Sequence, residues 1–167
     1  MTGQRMDRLA LHGIELAYPE RWHLVFEERN PRWDRGQVGI HGLEAQAFIS
    51  LVWDRPQGLL NGSLEDHVTR VLGQMGRRLR GFNLLSRQEA THREHPAFLS
   101  EVVFAVGGGF LRGSPRPVQR LQMMLVCPVS GRFFALHGTA TRNAFEEWRT
   151  VFEKVLHSLV CHQGAAD

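Results

Sequence analysis

Gly13-Ile-Glu-Leu-Ala-Tyr-Pro-Glu-Arg-Trp22 is the stretch on which the fold turns. Ile14, Leu16 and Tyr18 alternate along one limb, the period of a half-buried strand, and Trp22, Leu24 and Phe26 repeat it on a second limb. Between them Pro19 fixes φ and offers no backbone donor, so Tyr18 to Trp22 reads as the corner of an opening hairpin. Tyr18, Pro19 and Trp22 are expected to be corner and core residues with no catalytic role.

Strand signals continue outward from that corner. Gln37 to Leu43 and Gln46 to Asp54 are short β-type runs separated by Glu44 and Ala45. A charged loop, Glu28 to Gly36, precedes them and carries one aromatic, Trp33; a second loop spans Pro56 to Gly62. Ser63, with Asp66 three residues on, then signals a helix N-terminus. Leu64, Val68, Val71, Leu72, Met75 and Leu79 build its apolar face, and Gly81 stops it after Arg77, Arg78 and Arg80.

Strands resume over Phe82 to Gln88, followed by a polar turn, Thr91 to Pro96, and a further strand, Ala97 to Val106. The irregular Gly107–Pro117 segment leads to a hairpin of Val118 to Cys127 and Arg132 to Thr139 around Pro128-Val-Ser-Gly131. The closing helix is expected from near Asn143, with Glu146 completing a capping box. Phe145, Trp148, Val151, Phe152, Val155, Leu156 and Leu159 form its apolar stripe. Strands, helix, strands, helix is the order of an α+β protein, an antiparallel sheet of meanders covered by two long helices. A single domain over residues 1–167 is expected, with 1–8 and 163–167 as loose tails.

With 43% hydrophobic and 22% charged residues among 167, the composition is that of a folded globular chain. The basic residues are Arg apart from Lys154, and they are scattered at a net charge of only +3, so no concentrated basic face marks a nucleic-acid binder. No stretch reaches the ~18 apolar residues that span a bilayer, and the first twelve residues lack a secretory apolar region. Integral membrane insertion is therefore not expected, and a cytoplasmic location is. Two cysteines, Cys127 and Cys161, fit a reducing compartment better than a disulfide scaffold.

The Ile-Glu-Leu-Ala-Tyr-Pro-Glu-Arg-Trp opening, the element order, and the Leu125-Val-Cys-Pro-Val-Ser-Gly-Arg-Phe-Phe134 hairpin feeding a terminal helix resemble the PsbP-like superfamily. That fold belongs to an oxygen-evolving-complex subunit and to a Ran-binding nuclear import factor. The opening and size are also similar to bacterial chaperones that cradle transmembrane segments of type VI secretion effectors. The resemblance implies an α/β/α sandwich and a protein-binding role, with an effector bearing apolar helices as one partner. A sheet face would then meet the partner, either Phe98, Val102 and Phe104 or Leu121, Met123 and Leu125.

Catalytic motifs are missing. There is no Gly-x-Ser-x-Gly elbow. The Gly107–Pro117 loop lacks the Gly-Lys-Ser/Thr of a phosphate cradle, and His92 and His95 lack the His-Glu-x-x-His spacing of zinc proteases. Beside Pro96 the two histidines are expected to be polar surface groups. A non-enzymatic accessory protein is expected, with no cofactor assigned and partner contacts at Trp33, Phe110, Leu111, Arg112 and Arg116 in the two long loops. The alternative is a small metal-binding or redox protein using Cys127, Cys161 and His162, with His137 as a further donor. A Cys127–Cys161 disulfide and two buried free thiols are the other open states of the pair.

Overall fold

The computed structural model describes residues 5–26, 31–42, 46–55, 62–107 and 114–163. Strands β1 (Met6–Leu11) and β2 (Ile14–Pro19) form a two-stranded antiparallel ribbon. The main sheet contains β3 (His23–Phe26), β4 (Gly36–His41), β5 (Ala47–Asp54), β6 (Asn83–His92), β7 (His95–Val106), β8 (Arg116–Cys127) and β9 (Arg132–Thr141). Helix α1 (Leu64–Arg78) separates β5 from β6, and α2 (Phe145–Ser158) follows β9. The strand order is β3-β4-β5-β9-β8-β7-β6, antiparallel throughout.

Alternation divides the core into two layers. Phe98, Val102, Phe104, Val118, Met124 and Phe133 point to one side, where Val68 and Leu72 of α1 cover them. Ala97, Met123, Leu125, Phe134 and Leu136 point to the other, beneath Phe145, Phe152 and Val155 of α2 and Ile14 and Leu16 of the ribbon. At the tightest point of this second layer, a Cβ on Gly138 would stand 2.2 Å from the Phe152 ring. Gly138→Ala is expected to destabilise the fold by about 3 kcal/mol, the upper range for overpacking. Denaturant unfolding measures it, and a change below about 0.5 kcal/mol would contradict this packing.

The corner at Pro19 is present: Trp22 N–H donates to the Pro19 carbonyl at 2.9 Å, and Tyr18 and Trp22 are buried. It does not close a hairpin. β2 pairs with β1 and β3 with β4, so the corner carries the chain from the ribbon to the edge of the main sheet. β1 itself begins at Met6, inside the stretch expected to be a tail. Its His12-Gly13 turn has φ of 52° and 76°, the two left-handed residues of a type I′ connection.

Ser63 caps α1 as expected, its hydroxyl accepting from Asp66 N–H at 3.0 Å. The capping box expected for α2 is absent. Ala144 occupies the cap with no side-chain bond, and Glu146 instead accepts from Arg149 Nε and Nη2 at 2.9 Å each. The polar Thr91–Pro96 turn is also shorter than expected. β6 runs to His92 and β7 starts at His95, with only Arg93 and Glu94, at φ of 47° and 68°, between them.

Candidate metal centre

Three segments converge at one end of the sheet. Ala97 pairs with Leu125, so the same β7–β8 register, extended by two residues, sets His95 opposite Cys127 on the α2 side. On the other flank Cys127 pairs with Arg132 of β9. After α2 the chain turns back along the ribbon. Glu15 and Val160 exchange backbone hydrogen bonds of 3.0 and 2.8 Å, and this bridge brings Cys161 and His162 over the Cys127 end.

The result is a four-residue cluster of His95, Cys127, Cys161 and His162, with all ligand atoms within 4.8 Å of one another. His162 Nδ1 lies 3.2 Å from Cys127 Sγ and 3.4 Å from Cys161 Sγ, and His95 Nε2 lies 3.9 Å from Cys127 Sγ. A tetrahedral zinc bound by two sulfurs and two nitrogens spaces such atoms roughly 3.3–3.8 Å apart, from its bond lengths of about 2.3 and 2.0 Å. These three contacts lie within about 0.1 Å of that range, and the remaining pairs, all within 4.8 Å, would draw in by at most about 1.5 Å to close the shell. His95, Cys127 and Cys161 are buried and His162 is half-buried, so the cluster opens to solvent on one side.

Arg132 anchors the surroundings. It is 1% exposed, and its Nη2 donates to the Cys161 carbonyl at 2.8 Å. Nη1 donates to the carbonyls of His12 and Trp33, each at 3.1 Å. One guanidinium thus holds the ribbon turn, the Trp33 loop and the C-terminal segment together. The Trp33 and Phe134 rings lie 5.0 and 5.2 Å from it. Burial lowers the Arg132 pKa, while the fields of Cys127 and Cys161 oppose that shift.

The sulfur electrostatics favour a cation. Burial, which disfavours the thiolate, then the hydrogen bond to Cys127 and the repulsion of a second thiolate there, push the Cys161 thiol up to about 12. A divalent ion removes that conflict by replacing both protons. Burial also lowers the His95 pKa, keeping its imidazole in the neutral form that binds metals. Ser130 N–H donates to Cys127 Sγ at 3.4 Å, a contact suited to thiolate charge.

Cys127, Cys161 and His162 therefore meet, but His137 does not join them. His137 lies on β9 beside Phe48, at a ring separation of 6.2 Å, and burial holds its pKa well below the ordinary value. His95 takes its place, which overturns the surface reading of His92 and His95: both are buried. His92 Nε2 donates to the Leu159 carbonyl at 2.7 Å and helps seat the C-terminal segment.

Burial lowers the His92 pKa, so its neutral form is the one that folds. The unfolded chain takes up a proton near pH 6.5 and the folded chain only at lower pH. Stability from His92 is present above about pH 6.5 and is lost as pH falls toward the folded value. Metal-free protein is expected to lose stability between pH 7 and pH 5, and His92→Gln to flatten that slope, as urea unfolding across the pH range would measure. An unchanged slope would remove His92 as its cause.

The expected partner contacts are dispersed. Trp33 is 45% exposed, with Arg55 on its ring at 5.6 Å. Arg116 begins β8 and Cys127 ends it, about 36 Å apart at the strand rise; Arg116 lies in a shallow depression with Arg142 and Glu147. Phe110, Leu111 and Arg112 fall outside the described residues. The protein's own helices cover both proposed docking faces: Phe98, Val102 and Phe104 lie under α1, and Met123 and Leu125 under α2. Leu121, half-buried, lines a cleft of about 260 Å³ between β6 and α2. At its edge all three Arg149 nitrogens are engaged by Glu101 and Glu146 at 2.9–3.0 Å.

No protein-family model matches the chain, and no curated protein does. Solved structures do match across its length. The solution structure of the PsbP protein CyanoP of Synechocystis is similar at a TM-score of 0.68 and 15% identity, covering 95% of this chain and 94% of that one. PA94 of Pseudomonas aeruginosa, a putative regulator of unknown function, matches at TM-score 0.61 and 18% identity, covering 95% and 99%. LpqN of Mycobacterium tuberculosis, involved in cell envelope biogenesis, matches at TM-score 0.54 and 14% identity, covering 93% and 90%. Identities this low speak to architecture alone, and the architecture they identify is the PsbP-like α+β fold.

Proposed function

We propose that this protein binds zinc through His95, Cys127, Cys161 and His162, and that the metal clasps the C-terminal segment to the sheet in a non-enzymatic accessory protein. The observation that carries the reading is the convergence of two thiols and two imidazoles within 4.8 Å from three separate segments. Two sulfurs and two nitrogens suit zinc's tetrahedral preference, and a closed four-ligand shell is the structural rather than the catalytic arrangement. A reducing, cytoplasmic setting would keep both thiols available.

Binding of another polypeptide, the role implied by the Ran-binding and secretion-chaperone members of the fold, has Trp33 in its favour. This ring is exposed yet mounted on Arg132 from behind, the kind of rigid aromatic that anchors a contact. The covered sheet faces lend that role no support.

Elemental analysis of protein purified without added metal tests the proposal. About one zinc per chain is expected, retained through dialysis against metal-free buffer. Protein that arrives without zinc and takes up none on titration would overturn it.

A further inference from the structure

We infer that the centre also releases its metal on oxidation: a peroxide converts the zinc-bound Cys127 and Cys161 thiolates to a disulfide, which expels the zinc and leaves a covalent link between the sheet and the C-terminal segment in its place. The inference rests on the zinc reading above.

Four features of the site support it. Among the described residues its only anionic ligands are the two sulfurs, so joining them leaves two neutral imidazoles, too little to hold zinc. Arg132 is a buried, permanent cation opposite Cys127 and hydrogen-bonded to the Cys161 carbonyl. Zinc, two thiolates and that guanidinium sum to a net positive charge, which loosens the grip on the metal. His162 is half-buried, giving a small oxidant a way in. The Glu15–Val160 bridge keeps the sulfurs opposed once the metal leaves, which favours pairing over further oxidation.

The step balances. One thiolate attacks a peroxide oxygen, breaking the O–O bond and giving a sulfenic acid and hydroxide. The second thiolate attacks that sulfenic sulfur, forming the S–S bond and displacing a second hydroxide. Two protons from solvent convert both hydroxides to water. The sulfurs lose two electrons, the peroxide gains two, and zinc departs as the divalent ion. The sulfurs must close from within 4.8 Å to about 2.05 Å.

The test treats zinc-loaded protein with hydrogen peroxide while a chromogenic chelator reads zinc and intact mass spectrometry reads the chain. Zinc release is expected to track the loss of two thiols and a mass decrease of about 2 Da, and dithiothreitol with added zinc should restore the starting state. Cys161→Ser, exposed to the same peroxide, should show no 2 Da decrease. Zinc retained after the thiols of unfolded control protein are consumed would overturn the inference, as would release accompanied only by gains of about 32 Da per cysteine. Either result leaves zinc binding intact. A protein that carries no zinc at the start fails the earlier reading instead.

Discussion

Replacing Cys127 with serine is expected to weaken zinc binding by at least about 100-fold, because loss of supporting groups alone costs 10–100-fold and this change removes a ligand. Cys127 is fully buried, at the junction of β8 with the turn, and lies against both His95 and His162. Serine offers neither the soft donor nor the anionic charge that a metal-bound thiolate supplies. Competition against a chelator of known affinity measures the loss. The same variant should lose the thermal stabilisation by zinc, which for wild type is about 4 kcal/mol when free zinc is 1,000 times Kd. His137→Gln is the control, since His137 packs beside Phe48 and takes no part in the cluster. If Cys127→Ser binds zinc as wild type does, or if His137→Gln loses it, the ligand set is wrong.

Arg132→Met is expected to cost about 3–5 kcal/mol of folding stability, because three carbonyls lose a charged donor together and each unpaired acceptor costs about 1–3 kcal/mol. Methionine matches much of the side chain's volume but leaves three carbonyls, those of His12, Trp33 and Cys161, without their donor. Those carbonyls belong to three chain segments that approach one another here, so the loss reaches beyond a single contact. Arg132→Lys should recover only part of the stability, because one ammonium cannot span three acceptors in the guanidinium's planar geometry. Urea unfolding of both variants gives the comparison. A loss below about 1 kcal/mol for Arg132→Met would place the cohesion of these segments elsewhere.

Much of this architecture is legible in the chain, and the exceptions have local causes. Helix α1 declares itself because Ser63 and the Leu64–Leu79 face speak through contacts within a few residues. The Pro19 corner is equally local, but the partner of each limb is not. Alternation says that Ile14 to Tyr18 is a strand without saying that it pairs with β1. β1 escapes notice because Leu9 is its only buried residue, so the Met6–Leu11 pattern carries no clear period.

The metal centre divides along the same line. Cys127, Cys161 and His162 stand out by residue type, whereas His95 is disguised by its turn. Arg93 and Glu94 adopt positive φ without the Gly or Asn that normally marks a type I′ connection, so Thr91 to Pro96 reads as a polar loop. His95 becomes a candidate ligand only once the β7–β8 register sets it opposite Cys127. Arg132 is hidden more deeply. A charged residue after a Ser-Gly turn looks like surface, and its burial depends on two carbonyls contributed about a hundred residues earlier.

X-ray absorption at the zinc edge reads the ligand set itself. The purified protein should show a four-coordinate shell with about two sulfurs at about 2.3 Å and about two imidazole nitrogens at about 2.0–2.1 Å. A shell of oxygen and nitrogen without sulfur, or no zinc to measure, would contradict that ligand set.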